Sequence, residues 1–153
     1  MSAEARLTEL ALELPPAPKP VATYLTAARL GDLLYVSGHG PYLGDGSLII
    51  GRLGADMDIH AGAAAARQTG LAILATLRSH LGSLDKVVRL VKVLGMVNST
   101  PEFGDQPLVI NGFSDLMVEV FGEAGKGARS AVGVGALPKG IAVEIEAIFQ
   151  VKD

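Results

Sequence analysis

The chain has 153 residues and a net charge of −3, with 49% hydrophobic and only 19% charged residues. This length predicts one domain with a sizeable core. Charged residues make up roughly 25% of an average soluble domain, so the shortage predicts an oligomer that covers part of its own surface. The absence of cysteine excludes disulfides, thiolate catalysis and cysteine–zinc sites. The basic residues are scattered, which argues against nucleic acid as a partner.

The first 20 residues are predicted to form an N-terminal extension to a single domain over residues 21–153. Ser2–Leu12 has helical character with Ser2 as a candidate N-cap, and the run "PPAPKP" then predicts an extended segment. Acidic residues interrupt the place where a secretory signal would have its apolar core: Glu4, Glu9 and Glu13. No apolar run is long enough to span a bilayer, so a cytoplasmic protein is expected.

A β-hairpin is predicted next, from "YLTAARLGDLLYVSG", with its turn at Gly31-Asp32. The following stretch, "YLGDGSLIIGRLG", contains a second turn signal at Asp45-Gly46. We expect a third, short strand from Leu48 to Arg52.

A long helix is predicted from about Asp58 to Leu81, where Gly82 ends it. Its apolar stripe comprises Ala63, Ala66, Gly70, Ile73, Leu74, Leu77 and Leu81. The residues assigned to the opposite face are Gln68, Thr69, Ala72, Thr76 and Ser79. The acidic stretch "DMDIH", with Asp56, Asp58 and His60, is interpreted as the helix cap rather than as a metal site, and no metal is expected.

The second half of the chain predicts a strand over Lys86–Val97, a loop, a helix from near Pro107, and two closing strands over Ser130–Ala136 and Ile141–Val151. The second helix would bury Val109, Phe113, Leu116, Met117 and Val120. The order of elements indicates an α+β fold in which two helices cover one face of a mixed sheet.

Alternation along the last strand divides its residues between two faces. One face is apolar and is assigned to the helix layer: Ile141, Val143, Ile145, Ala147, Phe149 and Val151. The other carries Glu144 and Glu146 beside Ala142 and Ile148, which is typical either of a solvated face or of a subunit interface with a polar pocket. Arg129 likewise has two interpretations, a surface arginine paired with Glu123 or an anchor whose guanidinium binds a carboxylate in two parallel hydrogen bonds.

The segment "ARSAVGVGALPKGIAVEIEAI" resembles the C-terminal signature of the RidA/YjgF family of reactive-intermediate deaminases. Upstream, "TYLTAARLGDLLYVSGHGP" is similar to the family's early hairpin, and "VING" is similar to the start of its second helix. The resemblance covers about residues 21–151, and the extension places the chain near the longer members of the family.

The resemblance implies the fold of the Bacillus-type chorismate mutases: a mixed sheet with two helices on one face, assembled as a homotrimer with ligand clefts at the subunit interfaces. It implies hydrolysis of small anionic 2-imino or enamine acids to 2-keto acids and ammonia, without a cofactor. The matching positions make Arg129 the carboxylate anchor and Glu144 the acid that orients or activates water. The remaining positions of the implied substrate-binding set are Tyr24, Asn111, Ser37 and Gly38.

The sequence departs from the family pattern at three positions. His39 stands where the family has Gln after Ser-Gly, and it is predicted either to reach the cleft as a proton shuttle or to serve only as a turn residue. Gly133 and Gly135 replace larger residues after the Arg-Ser pair. Three alternatives therefore stay open: a ligand-binding module without turnover, an endoribonuclease and a chorismate-mutase-like isomerase.

Overall fold

Three α-helices and five strands follow one another along residues 1–153, all of which the computed structural model describes. In chain order they are α1 (Ala3–Glu9), β1 (Ala27–Leu30), β2 (Leu33–His39), α2 (Ile59–Leu81), β3 (Val87–Asn98), α3 (Gln106–Phe121), β4 (Ala128–Val134) and β5 (Val143–Val151). No helix among them combines the length and the apolar character that a bilayer-spanning segment needs.

The five strands form one mixed sheet in the order β1-β2-β5-β3-β4. Only β3 and β4 pair in parallel, and the other neighbours are antiparallel. This confirms the predicted α+β class with a mixed sheet. The third strand predicted over Leu48–Arg52 is wrong as a ladder strand, because the region makes only single bridges, Tyr42 with Leu48 and Ile50 with Ile141.

Helix α2 has the predicted ends. The Asp58 carboxylate accepts the Ala61 N–H at 2.8 Å, and Gly82 ends the helix at a φ of 82°, which a residue without Cβ adopts freely. The predicted polar face is wrong in part, since Thr69, Ala72 and Thr76 are buried. The sheet covers one side of α2 and α3 covers another, so a larger arc of the helix is buried than a single apolar stripe indicates.

The face of β5 assigned to the helix layer is confirmed. Five of the six predicted residues belong to the core cluster: Val143, Ile145, Ala147, Phe149 and Val151. The prediction is wrong just before β5, because Ile141 lies outside that cluster whereas Ala142, assigned to the other face, belongs to it. The predicted buried stripe of α3 is confirmed as well, with Val109, Phe113, Leu116, Met117 and Val120 all in the core. The core therefore lies between the sheet and the two long helices, and the opposite sheet face has no helix over it.

The N-terminal helix α1 packs on its own chain. Ala3 and Leu7 belong to the main core cluster. The Glu4 carboxylate pairs with Arg78 of α2 and accepts the Leu84 N–H at 2.8 Å. The predicted extension thus begins with a helix that shares the core of the domain.

Candidate active site

An open cavity of about 480 Å³ lies where β2 and β5 run side by side. It brings together four of the residues predicted for the site: Tyr24, Ser37, Gly38 and Glu144. These residues come from a loop, from the end of β2 and from the middle of the sheet, so only the antiparallel pairing of β2 with β5 makes them neighbours.

Glu144 is the chemically distinctive group of this cavity. It lies opposite Met96 of β3, on the sheet face away from the helices. Burial raises the pKa of its carboxyl group, and the charge of Glu146 raises that pKa further. A carboxyl group perturbed in this way is suited to taking up and releasing a proton under mild conditions.

Gly38 allows the Glu144 carboxyl group to lie against the backbone of β2. A Cβ built at Gly38 would be 3.0 Å from Cδ and 3.3 Å from Oε1 of Glu144. Any side chain at this position would therefore push the carboxyl group out of place. The Ser-Gly pair singled out in the sequence thus has a steric role beside Glu144.

Ser37 ties the segment that carries Tyr24 to the sheet. Its hydroxyl group donates to the Leu25 carbonyl at 2.6 Å, and its backbone N–H donates to the Thr26 carbonyl at 3.0 Å. Tyr24 itself is 43% exposed at the cavity edge. Its ring is therefore accessible to a ligand or to another subunit.

Arg129 lies elsewhere, on the edge strand β4. Its Nη1 donates to Asn111 Oδ1 at 2.8 Å and to Ser114 Oγ at 3.2 Å, and its Nη2 donates to the Pro107 carbonyl at 3.4 Å. The alternative partner, Glu123, is wrong, because its carboxylate pairs with Lys126 at 2.8 Å. Arg129 is therefore positioned by neutral oxygens of α3 and has no carboxylate partner in its own chain.

Arg129 and Glu144 point to opposite faces of the sheet. Arg129 is in register with Val93, which is buried under the helices, whereas Glu144 is in register with Met96 on the helix-free face. Strand β3 also separates their strands by about 10 Å across the sheet, and the step of three residues from Val93 to Met96 adds about 10 Å along it. One chain therefore does not bring the two predicted catalytic residues into one cleft.

His39 does not line the cavity. An irregularity in register between Val36 and His39 turns both side chains toward the helix layer. His39 is 3% exposed, with Nε2 at 2.7 Å from Thr76 Oγ1 and Nδ1 at 2.6 Å from the Ser37 carbonyl. Burial lowers its pKa. This placement gives no support to the proton-shuttle interpretation, and it explains why Thr76 is buried.

Sequence reasoning missed several residues of the cavity. Its wall also contains Val21, Tyr42, Leu48, Lys139, Ile141 and Glu146. Lys139 follows the Leu-Pro pair and has a φ of 58°, which a residue with a side chain rarely adopts. That motif was the available signal, since it marks a tight turn directly before β5. No group of three or more His, Asp or Glu side chains is arranged to hold a metal ion.

A protein-family model described as "YjgF/chorismate_mutase-like, putative endoribonuclease" matches residues 4–143. Among curated proteins, the chain is 42% identical to "Protein TCP17" of Trypanosoma cruzi over 150 residues, which covers 97% of this chain and 94% of the relative. The match includes α1, so the N-terminal helix is part of the shared architecture.

Solved structures agree with this match. A protein of unknown function from Agrobacterium tumefaciens is 41% identical with a TM-score of 0.89, covering 98% of this chain and 94% of the other. A "putative endoribonuclease" from Shewanella oneidensis is 30% identical with a TM-score of 0.94, and the match covers 99% of this chain and 100% of the other. RidA from an Antarctic Psychrobacter is 29% identical with a TM-score of 0.63, and the match covers 88% of this chain and 94% of the other.

Proposed function

The chain belongs to the YjgF/chorismate mutase-like family, and we propose that it hydrolyses small 2-imino and enamine acids to 2-keto acids and ammonia in a cleft between subunits. One observation carries the proposal. The chain presents a guanidinium group without an acidic partner and a desolvated carboxyl group, on opposite faces of one sheet. Two copies of the chain are needed to place these groups on one small substrate.

Arg129 is the proposed carboxylate anchor. Asn111 and Ser114 hold its Nη1 atom, and neither residue neutralises its charge. A guanidinium group held by neutral acceptors keeps its preference for a carboxylate in two parallel hydrogen bonds. The predicted role of Asn111 is thereby refined, because its contact orients Arg129 rather than lining the Glu144 cavity.

Glu144 is the proposed general base. In its ionised form it takes a proton from a water molecule whose oxygen bonds to C2 of the substrate, while the C=N double bond becomes a single bond. The protonated Glu144 delivers that proton to the nitrogen, which gives an intermediate with a hydroxyl and an amino group on C2. Glu144 then takes the hydroxyl proton and passes it to the nitrogen while the C–N bond breaks, so that the C2 oxygen becomes the keto group and the nitrogen leaves as ammonia. A raised pKa suits both steps, because the same carboxyl group must accept and then release the proton.

A cyclic trimer is the proposed assembly. In a head-to-tail interface, the β4 edge of one subunit meets the β2–β5 cavity of the next, and rotation closes the ring. The helix-free sheet face supports association because it exposes large hydrophobic residues. Tyr35 is 44% exposed and Val132 is 42% exposed. Ile148, Leu94 and Ala28 border a further cavity on this face.

RNA cleavage, which the name of the Shewanella structure indicates for that protein, is less well supported by the geometry of this chain. The cavity contains two carboxyl groups, Glu144 and Glu146, and one lysine. Carboxylates repel a phosphodiester backbone, whereas a groove for RNA needs dense positive charge. A small monoanion that reaches its cation through a neighbouring subunit fits this charge distribution better.

An assay of imine loss tests the proposal. An amino-acid oxidase would generate 2-imino acids in the presence of semicarbazide, which competes for them. Wild-type protein is expected to suppress semicarbazone formation. Arg129→Ala is expected to lower kcat/KM by at least about 100-fold, because a desolvated charge-assisted contact of about 3 kcal/mol is lost. Arg89→Ala is the matched control, since Arg89 contacts only backbone carbonyls outside the cavity.

Two outcomes would overturn the proposed reaction. If the wild-type protein leaves semicarbazone formation unchanged for every imino acid, it is not a hydrolase of this class. Saturable binding of a 2-keto acid by the same inactive preparation would then favour the ligand-binding alternative. Loss of activity in Arg89→Ala equal to that in Arg129→Ala would show that Arg129 has no specific role.

A further inference from the structure

A second polar cavity, of about 250 Å³, lies at the far end of β4 and shares no residue with the cavity of Glu144. The turn around Arg52, the loop after β3 and the end of β4 form its walls. Its polar side chains come from Arg52, Ser99, Thr100 and Gln106. No acidic side chain lines it, which distinguishes it from the cavity of Glu144.

Arg52 lines this cavity and has an unused hydrogen-bond donor. Its Nε is the one buried side-chain nitrogen or oxygen of the chain without a hydrogen-bond partner. Its Nη2 donates only to the Ser99 carbonyl, at 3.3 Å. The nearby Asp56 carboxylate accepts the backbone N–H of Arg52 at 2.6 Å and forms no ion pair with its guanidinium group. The Arg52 guanidinium group therefore has a single hydrogen bond within the chain and no acidic partner, which leaves its charge available to a ligand in the cavity.

Ser99 supplies a second donor. Ser99 is 5% exposed and lines the cavity, and its hydroxyl group makes no hydrogen bond within the chain. Thr100 adds another hydroxyl group, and one amide hydrogen of Gln106 is held by the Phe103 carbonyl at 2.8 Å. Hydroxyl groups and a guanidinium group together can donate at least three hydrogen bonds to one small acceptor.

Gly133 lets β4 approach these donors closely. A Cβ at this position would be 2.6 Å from Ser99 Oγ and 2.7 Å from Gln106 Nε2. A residue with a side chain would thus displace both groups. Gly133, one of the two glycines that depart from the family pattern, therefore leaves room for this cavity.

We propose that this cavity is a binding site for a small oxyanion, a carboxylate or a phosphate, held by the Arg52 guanidinium group and the Ser99 hydroxyl group. The cavity concentrates donors and one uncompensated positive charge in a partly closed space, and an oxyanion supplies the acceptors and the negative charge that it lacks. The site is independent of the proposed imine hydrolysis, because neither Arg129 nor Glu144 belongs to it.

Titration of ¹⁵N-labelled Arg129→Ala protein tests the site, since this background removes the guanidinium group that is proposed to bind a carboxylate elsewhere. Sodium phosphate and sodium acetate would be added separately, each against sodium chloride of equal ionic strength. Saturable shifts are expected at the amides of Ser99, Thr100 and Gly133, and the anion with the lower Kd identifies the ligand class. Adding Arg52→Ala should weaken binding at least about tenfold, and adding Ser99→Ala about threefold.

The Ser99→Ala variant keeps the test decisive if Arg52→Ala fails to fold, because it removes a single oxygen atom. Arg89→Ala in the same background is the matched control and should bind as tightly as its parent. Absence of saturable shifts for both anions would overturn the proposal. Shifts that persist unchanged in the Ser99→Ala and Arg52→Ala proteins would overturn it equally.

Discussion

The two halves of the candidate active site are built in different ways. Glu144 lies on the central strand β5, which has a partner strand on each side, and it packs against Gly38 in a cavity that raises its pKa. Arg129 lies on the edge strand β4, whose only partner is β3, and hydrogen bonds to α3 orient its side chain. Burial in the sheet thus perturbs the carboxyl group, whereas hydrogen bonds to α3 orient the guanidinium group at the edge strand.

This difference is the reason why we propose that copies of the chain assemble. A central strand provides a rigid, partly dry environment, which perturbs a proton-transfer group. An edge strand can meet another molecule, which suits a group that must bind a substrate carboxylate. Because the two groups are on opposite sheet faces, the proposed reaction requires a neighbouring subunit to complete each half.

The largest effect is expected from mixing two inactive proteins. Arg129→Ala and Glu144→Ala should each retain less than about 1% of wild-type imine hydrolysis. Unfolded together and refolded as an equal mixture, they should recover about one quarter of wild-type activity, because random assembly gives one cleft in four an intact pair. The assay is again semicarbazone competition, on the refolded oligomer.

The matched control replaces the Glu144→Ala partner by the double variant with Arg129→Ala and Glu144→Ala. No intact pair can form with Arg129→Ala, so that mixture should stay inactive. If the first mixture also stays inactive, although mass spectrometry shows mixed oligomers, Arg129 and Glu144 do not share a cleft between chains.

A smaller effect is expected from Gly38→Ala, which perturbs only the Glu144 half. Its Cβ would lie 3.0 Å from Glu144 Cδ and should shift the carboxyl group by a few tenths of an ångström. We expect kcat to fall about tenfold while stability changes by less than about 1 kcal/mol. Gly44→Ala is the control, since a Cβ there meets nothing within 4 Å. Unchanged kcat in Gly38→Ala would argue that the position of Glu144 is not critical.

The smallest effect is expected from Glu146→Gln, on the acid side of the pH–rate profile. The negative charge of Glu146 raises the pKa of Glu144, so its removal lowers that pKa. Because the base must be ionised, the acid limb of kcat/KM should move to lower pH, while rates well above the pKa stay the same. Burial is the larger cause, so the limb should still lie above 4.5, the ordinary pKa of the group.

Glu123→Gln is the control for charge removal, because Glu123 pairs with Lys126 at 2.8 Å outside the cavity. Its acid limb should coincide with that of the wild type. A limb that moves to higher pH in Glu146→Gln, or moves equally in both variants, would contradict the assignment of this limb to Glu144.

Most of the fold was predictable because its elements have regular periods. The alternation along β5 correctly placed five residues in the core, and the caps at Asp58 and Gly82 correctly bounded α2. The error on the opposite face of α2 has a clear physical origin. The burial of Thr69 and Thr76 comes from a second layer packed on the same helix, which a one-dimensional pattern does not contain.

The candidate site was predictable in its residue types and only partly in its arrangement. Tyr24, Ser37, Gly38 and Glu144 line one cavity, as their resemblance to the family positions implied. His39 lies outside it, because an irregularity in strand register turned the side chain by one face. Gly38 and Gly40 flank His39 and have no side chains, so the sequence pattern does not indicate which face of the strand His39 is on.

The sequence by itself determined the family, the α+β class, the ends of the long helix and the buried face of β5, because these depend on local periodicity, capping and recognisable motifs. Only the tertiary structure decided that Arg129 and Glu144 point to opposite sheet faces and that Arg52, Ser99 and Gly133 meet at the end of β4. The physical reason is register. The pairing of distant strands sets which side chains become neighbours, and that pairing depends on contacts far apart in the chain.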